Sequence, residues 1–110
     1  MKLFGPATAL LGIGLMVPLF APAHAQNTPA PDIGAGKRRA AVCFACHNEN
    51  GIAAIPGTPS LAGQDRTYLV NALHEFRDGQ RSNATMSAMV KPLSDADIAN
   101  IAAYFSSLPR

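Results

Sequence analysis

Cys43-Phe44-Ala45-Cys46-His47 decides how this sequence is read. In a helical turn, positions 43, 46 and 47 stand at i, i+3 and i+4, so their three side chains share one face. The stretch holds both cysteines of the 110-residue chain. Two thiols and an imidazole then form one compact cluster of donors.

Around that cluster the chain reads as all-α. Gly34 to Cys46 is alanine-rich and predicts a first helix leading into the cluster. A second helix is predicted from Asp65 to Phe76. There Leu69, Leu73 and Phe76 recur at spacings of four and three, beside Tyr68 and Ala72. Asp65 suits its N-cap and Gly79 follows its end. The third helix opens on Ser94-Asp95-Ala96-Asp97, a capping box with aspartate in the usual glutamate position. Ile98, Ile101, Ala102 and Phe105 then fall at i, i+3, i+4 and i+7, and Pro109 closes the chain. No segment alternates as a strand would. Two long connections remain, from Asn48 to Gln64 and from Asp78 to Leu93. Structureless loops of that length are unusual in so small a domain unless they wrap around something.

The N-terminal segment stands apart. After Lys2 no charged residue occurs before Asp32, and residues 3–20 are almost wholly apolar. Ala23-His24-Ala25 supplies small residues at the two positions a signal peptidase inspects. Residues 1–25 therefore read as a signal peptide cleaved at the Ala25–Gln26 junction. An uncleaved membrane anchor is the competing reading, weakened by Pro6, Gly12, Gly14, Pro18 and Pro22. Residues 26–33 read as a flexible leader and 34–110 as the folded domain.

Cleavage leaves 85 residues with no tryptophan and only Phe44, Tyr68, Phe76, Tyr104 and Phe105 as Phe or Tyr. Domains this small bury proportionally little surface and often need a cofactor or a staple. Of nine basic residues, removal of Lys2 leaves eight against seven acidic ones. Lys37-Arg38-Arg39 is the one basic cluster and reads as a solvated helix face. Nothing in this charge pattern suits nucleic acid.

The CxxCH spacing predicts covalent attachment of one haem c. Two thiols add across the two porphyrin vinyl groups, and the following histidine sits under the iron. Each alternative fits less well. A thiol–disulfide oxidoreductase would leave His47 incidental and usually carries a βαβ pattern. A zinc site needs a fourth ligand, for which His74 is the candidate. A Cys43–Cys46 disulfide has poor geometry inside a helix. Haem iron usually takes a second axial ligand, and a methionine thioether raises its potential. Beyond residue 25 the methionines are Met86 and Met89, both in the second long connection. One is expected to ligate and the other to pack. His74 and Lys91 are further candidates, each more readily explained as a surface residue.

With these parts in order, the sequence resembles the class I c-type cytochromes, and in particular one half of the bacterial dihaem cytochromes c. The resemblance runs from Gly34 to Leu108. It rests on Gly36, CFACH at 43–47, PSLAGQ at 59–64, the Tyr68-Leu69 helix, FRDGQR at 76–81, the methionine segment and LSDADIANIAAYFSSL at 93–108. It implies a small cytochrome c fold, with three main helices and two long loops around one haem. It implies that Cys43 and Cys46 form the thioethers, that His47 is the proximal ligand, and that the carbonyl of Pro59 accepts a hydrogen bond from its Nδ1. Met86, seven residues before Leu93, matches the distal ligand, with Met89 one turn away in reserve. Gly36 and Tyr104 match a tight crossing of the first and last helices. Tyr68 and Gln64 match haem surroundings near the propionates. Asn48 replaces a glycine often found after the histidine, and asparagine tolerates left-handed backbone well.

The resemblance further implies a periplasmic single-electron carrier and no enzyme. Its partners would be redox proteins: membrane respiratory complexes, oxidases or periplasmic dehydrogenases. No nucleic acid and no stable membrane insertion after cleavage are expected, with the protein a monomer or weak dimer. Two other classes remain open. One is a haem subunit, sensor or enzyme with a labile distal ligand. The other is a haem-free thiol–disulfide protein.

Overall fold

The computed structural model describes residues 1–22 and 29–110. The expected cleavage site, Ala23-His24-Ala25 with the Ala25–Gln26 junction, lies outside the described residues. Residues 1–22 form neither helix nor strand and lie exposed. No helix among the described residues is long and apolar enough to cross a membrane.

The helices are α1 (Ile33–Arg39), a 3₁₀ turn (Ala40–Cys43), α2 (Phe44–His47), α3 (Arg66–Asp78), α4 (Ala84–Val90) and α5 (Asp95–Ser107). Among the described residues there is no strand. The all-α class follows, with two differences from the expected layout. The first helix is not continuous from Gly34 to Cys46. It starts at Ile33, because the Asp32 carboxylate accepts from the Ala35 N–H (2.9 Å). It then tightens into 3₁₀ geometry through Cys43 before its last turn. The second long connection is also not structureless. Its centre is α4, started by Asn83, whose side chain accepts from the Met86 N–H (2.9 Å). Seven residues make too short a helix to announce itself by periodicity, and tertiary packing sustains it.

α3 and α5 begin and end where their caps dictate. Asp65 accepts from the Tyr68 N–H (2.8 Å), and Gly79 stops α3 in the left-handed conformation (φ 80°). At α5 both halves of the capping box are present. Ser94 Oγ accepts from the Asp97 N–H, and the Asp97 carboxylate accepts from the Ser94 N–H, each at 3.0 Å.

α5 is the core. Ile98, Ile101, Ala102, Tyr104 and Phe105 are buried along it. Leu69 from α3, Val90 from α4, Leu93 and Ala40 close around them. Burying each large side chain of this set stabilises the fold by roughly 1.5–3 kcal/mol. α1 crosses α5 at Gly36, which is buried. Asp32 and Arg39 fasten the two ends of that crossing. The Asp32 N–H donates to Asn100 Oδ1 (2.8 Å), and Arg39 Nε lies 3.4 Å from Asp97 Oδ2. Arg77 of α3 ties the far end. Its guanidinium donates to the Leu93 carbonyl (3.2 Å) and pairs with Asp95 (2.8 Å). The helices are thus pinned at their edges, and a cavity remains between α2, α3, α4 and α5.

Candidate functional site

α2 carries the cluster. Its three residues come from the end of the 3₁₀ turn (Cys43) and from α2 itself (Cys46, His47). Phe44 anchors this short segment. Its ring packs against Tyr104 and Phe105 of α5, at centroid distances of 6.0 and 6.4 Å. The Tyr104 hydroxyl donates to the Glu49 carbonyl just beyond α2. With Phe44 turned into the core, the cluster side chains line the cavity. Cys43 and Cys46 are not joined to each other in a disulfide. Cys43 is half-buried, and that burial pushes its thiol pKa above the ordinary value, against the pull of the Arg39 charge. Cys46 is exposed.

His47 is buried, at 7% exposure. Its Nδ1 lies 2.8 Å from the carbonyl oxygen of Pro59. A carbonyl only accepts, so Nδ1 carries the proton and Nε2 is left as the basic nitrogen. The loop between α2 and α3 is folded to deliver that carbonyl. Asn48 leaves α2 with positive φ (61°). Gly51 follows with φ 72°, and its carbonyl accepts from both Leu61 and Ala62, at 2.8 and 3.1 Å. A Cβ on Gly51 would stand 2.8 Å from the Ala62 nitrogen, so only glycine lets the loop close here. Ser60 Oγ accepts from the Ala53 N–H (3.0 Å). Together these contacts turn the loop back and set Pro59 against the imidazole.

The cavity measures about 860 Å³, within the usual range for cofactor sites of roughly 300–1,000 Å³. Its walls are mostly apolar, including Leu69, Leu73, Val90, Leu93, Ile101 and Phe105. Met86 and Met89 also line it. Met86 packs against the core, whereas Met89 is 44% exposed. Gln64 and Tyr68 reach its wall near the start of α3, with Tyr68 53% exposed. His74 and Lys91 do not line it. The Nδ1 of His74 instead accepts from Arg77 (2.8 Å). No group of three or more His, Cys, Asp or Glu side chains gathers to hold a metal among the described residues, so the zinc reading finds no support. Several lining residues had no role assigned from the sequence, among them Arg81, Asn83 and Thr85. Asn83 was findable, since Asn three residues before Met86 is a capping pattern.

These residues fit a haem. Two thiols stand beside an imidazole whose Nδ1 is already committed, and soft thioethers share the same apolar cavity.

The cytochrome c family model matches residues 33–109, and the chain belongs to that family. Its cofactor is covalently bound haem c with its iron. The chain is similar to cytochrome c4 of Pseudomonas aeruginosa, 43% identical over 98 residues, covering 89% of this chain and 47% of that one. It is 46% identical over 81 residues to cytochrome c-554(548) of Halomonas halodenitrificans, covering 71% of this chain and 98% of that one. A third relative, named thiosulfate dehydrogenase electron acceptor, from Thiomonas intermedia, is 39% identical over 109 residues, covering 98% of this chain and 48% of that one. The fold is that of reduced recombinant cytochrome c4 from Pseudomonas stutzeri, with a TM-score of 0.69 and 40% identity, covering 73% of this chain and 47% of that one. The chain therefore spans about half the length of the cytochromes c4 it matches, the size of one haem domain.

Proposed function

We propose that this protein is a periplasmic single-electron carrier in which Cys43 and Cys46 would hold the haem covalently and His47 and Met86 would ligate its iron. The observation that carries this reading is the pairing, in one apolar cavity, of an imidazole fixed through Pro59 with a core-packed methionine. Met86 is preferred to Met89 because it is the better buried, and because Asn83 holds its backbone N–H.

When bound, haem c supplies an iron that cycles by one electron between the ferrous and ferric states. The chain does the rest. Pro59 fixes the plane of the His47 ring and leaves its Nε2 lone pair free to bind a metal. Leu69, Val90, Leu93, Ile101 and Phe105 keep water out, which holds the potential up. The helix caps and the Arg77 anchor keep the cavity walls in place, so little rearrangement accompanies the electron. The export reading rests on residues 1–25, with their single early charge and apolar run. The relative named as acceptor of a thiosulfate dehydrogenase supports a periplasmic dehydrogenase as one donor. Respiratory complexes and oxidases are the matching acceptor class. Net charge near neutrality predicts weak electrostatic steering towards any of them.

The test is an optical spectrum of the matured protein, oxidised and reduced. A sulfur–iron charge-transfer band in the oxidised form is expected. Met86→Ala abolishes it and Met89→Ala retains it. Rapid carbon monoxide binding by the reduced wild type would overturn the carrier reading in favour of a labile distal site.

A further inference from the structure

Of the side chains that line the cavity, one carries a full charge: Arg81. Every other lining residue is apolar or neutral-polar, apart from the titratable cluster of Cys43, Cys46 and His47. Among the described residues Arg81 has no acidic partner, whereas Arg77 pairs with Asp78 and Asp95, and Arg39 with Asp97. A half-buried cation beside an apolar cavity is costly unless an anion meets it. The occupant of this cavity supplies two, since haem carries two propionate carboxylates.

Arg81 is also held in readiness. The left-handed turn at Gly79 folds the chain back over the end of α3, so that the N–H groups of both Gln80 and Arg81 donate to the Glu75 carbonyl (2.8 and 3.1 Å). That return lays the guanidinium over the Phe76 ring, 4.5 Å from its centroid. Two residues on, Asn83 caps α4. The segment is thus fixed on both sides. One face of the guanidinium is occupied by the ring, and its N–H edge remains for an acceptor. A planar fork of donors fits a carboxylate in bidentate fashion.

We propose that Arg81 binds a haem propionate, which places the carboxylate edge of the cofactor at the C-terminal end of α3 rather than beside Gln64 and Tyr68. The proposal rests on haem occupying this cavity, not on which methionine ligates. Arg81 also offsets a negative charge near the iron. An uncompensated carboxylate favours the ferric state, so the arginine raises the reduction potential.

The experiment compares Arg81→Gln, Arg81→Lys and a Gln64→Leu/Tyr68→Phe double variant as matured haem proteins. The readouts are reduction potential by voltammetry and carboxylate stretching bands in the infrared redox difference spectrum. Arg81→Gln is expected to lower the potential and shift the carboxylate bands. Arg81→Lys should restore most of the potential but not the bidentate band position. The double variant should leave the bands unmoved. Should Arg81→Gln fail to mature, the band position in Arg81→Lys decides alone. Unshifted bands in the Arg81 variants, or bands that move in the double variant instead, overturn the proposal. Absence of covalent haem from the wild type would refute the function itself, a separate outcome read from a haem-stained gel.

Discussion

A Cβ placed on Gly36 would stand 1.9 Å from the carbonyl oxygen of Asn100 and 2.5 Å from its carbonyl carbon. α1 and α5 therefore meet backbone against backbone, with no room for a methyl group. The aromatic ring of Tyr104 lies one turn further on, against Phe44 and Phe105. Gly36→Ala must push the two helices apart. It is expected to cost about 1–3 kcal/mol, as overpacking of a close contact does. Denaturant unfolding of the haem-loaded protein would report it as a lower midpoint at unchanged slope.

Asn83 caps α4 through the Met86 N–H. Asn83→Ala should destabilise by about 1 kcal/mol, the usual worth of an N-cap. The loss should be local. In a denaturant titration the sulfur–iron band should disappear before helical circular dichroism does, and the gap between the two should be wider than in wild type.

The Asp97 carboxyl is held below its usual pKa chiefly by the Ser94 backbone N–H; partial burial opposes this, and the Ser94 hydroxyl and the Arg39 guanidinium each add a smaller pull downwards. A folded pKa below the unfolded one adds stability above the unfolded value, near 3.9, and that stability is lost as pH falls through the folded value. Asp97→Asn keeps an acceptor for Ser94 but removes the charge. The expected cost is under about 1 kcal/mol at pH 7, given the exposed setting. It should fade as pH falls below the unfolded value and through the lower folded one, until thermal unfolding of wild type and variant coincides.

The buried Tyr104 hydroxyl donates to the Glu49 carbonyl, joining α5 to the chain just past His47. Tyr104→Phe should cost about 0.5–1.5 kcal/mol, the net worth of one such bond. The optical spectrum should be unchanged, because Phe44 still anchors α2. A displaced haem spectrum would show that this bond, rather than the ring packing, seats the cluster.

Much of the molecule was legible in advance, and the reasons differ by element. α3 and α5 announce themselves because each carries a full apolar stripe between a capping side chain and a stop. α4 does not, since seven residues hold too few turns for a period. What sustains it is the Asn83 cap and the burial of Val90, which are tertiary facts. The 3₁₀ turn at Ala40–Cys43 escaped because alanine-rich sequence is equally at ease in either helix type. The CxxCH cluster is local in sequence and so was readable from spacing. The Pro59 contact spans twelve residues and was foreseen only by resemblance. Arg81 stood in view within FRDGQR without a role, because its placement depends on how the chain turns at Gly79.

The Gly36 crossing has a consequence for assembly. α1 leads directly into the cysteines, yet the surface it docks on is α5, which follows it in the chain only after α2, α3 and α4. Ile101, Ala102 and Phe105 of α5 are also one wall of the cavity. Contacts so distant in sequence close late. A polypeptide cut short before Ser94 would therefore present its two thiols on a helix with nothing to lie against, reachable by a modifying enzyme yet unable to enclose what that enzyme attaches.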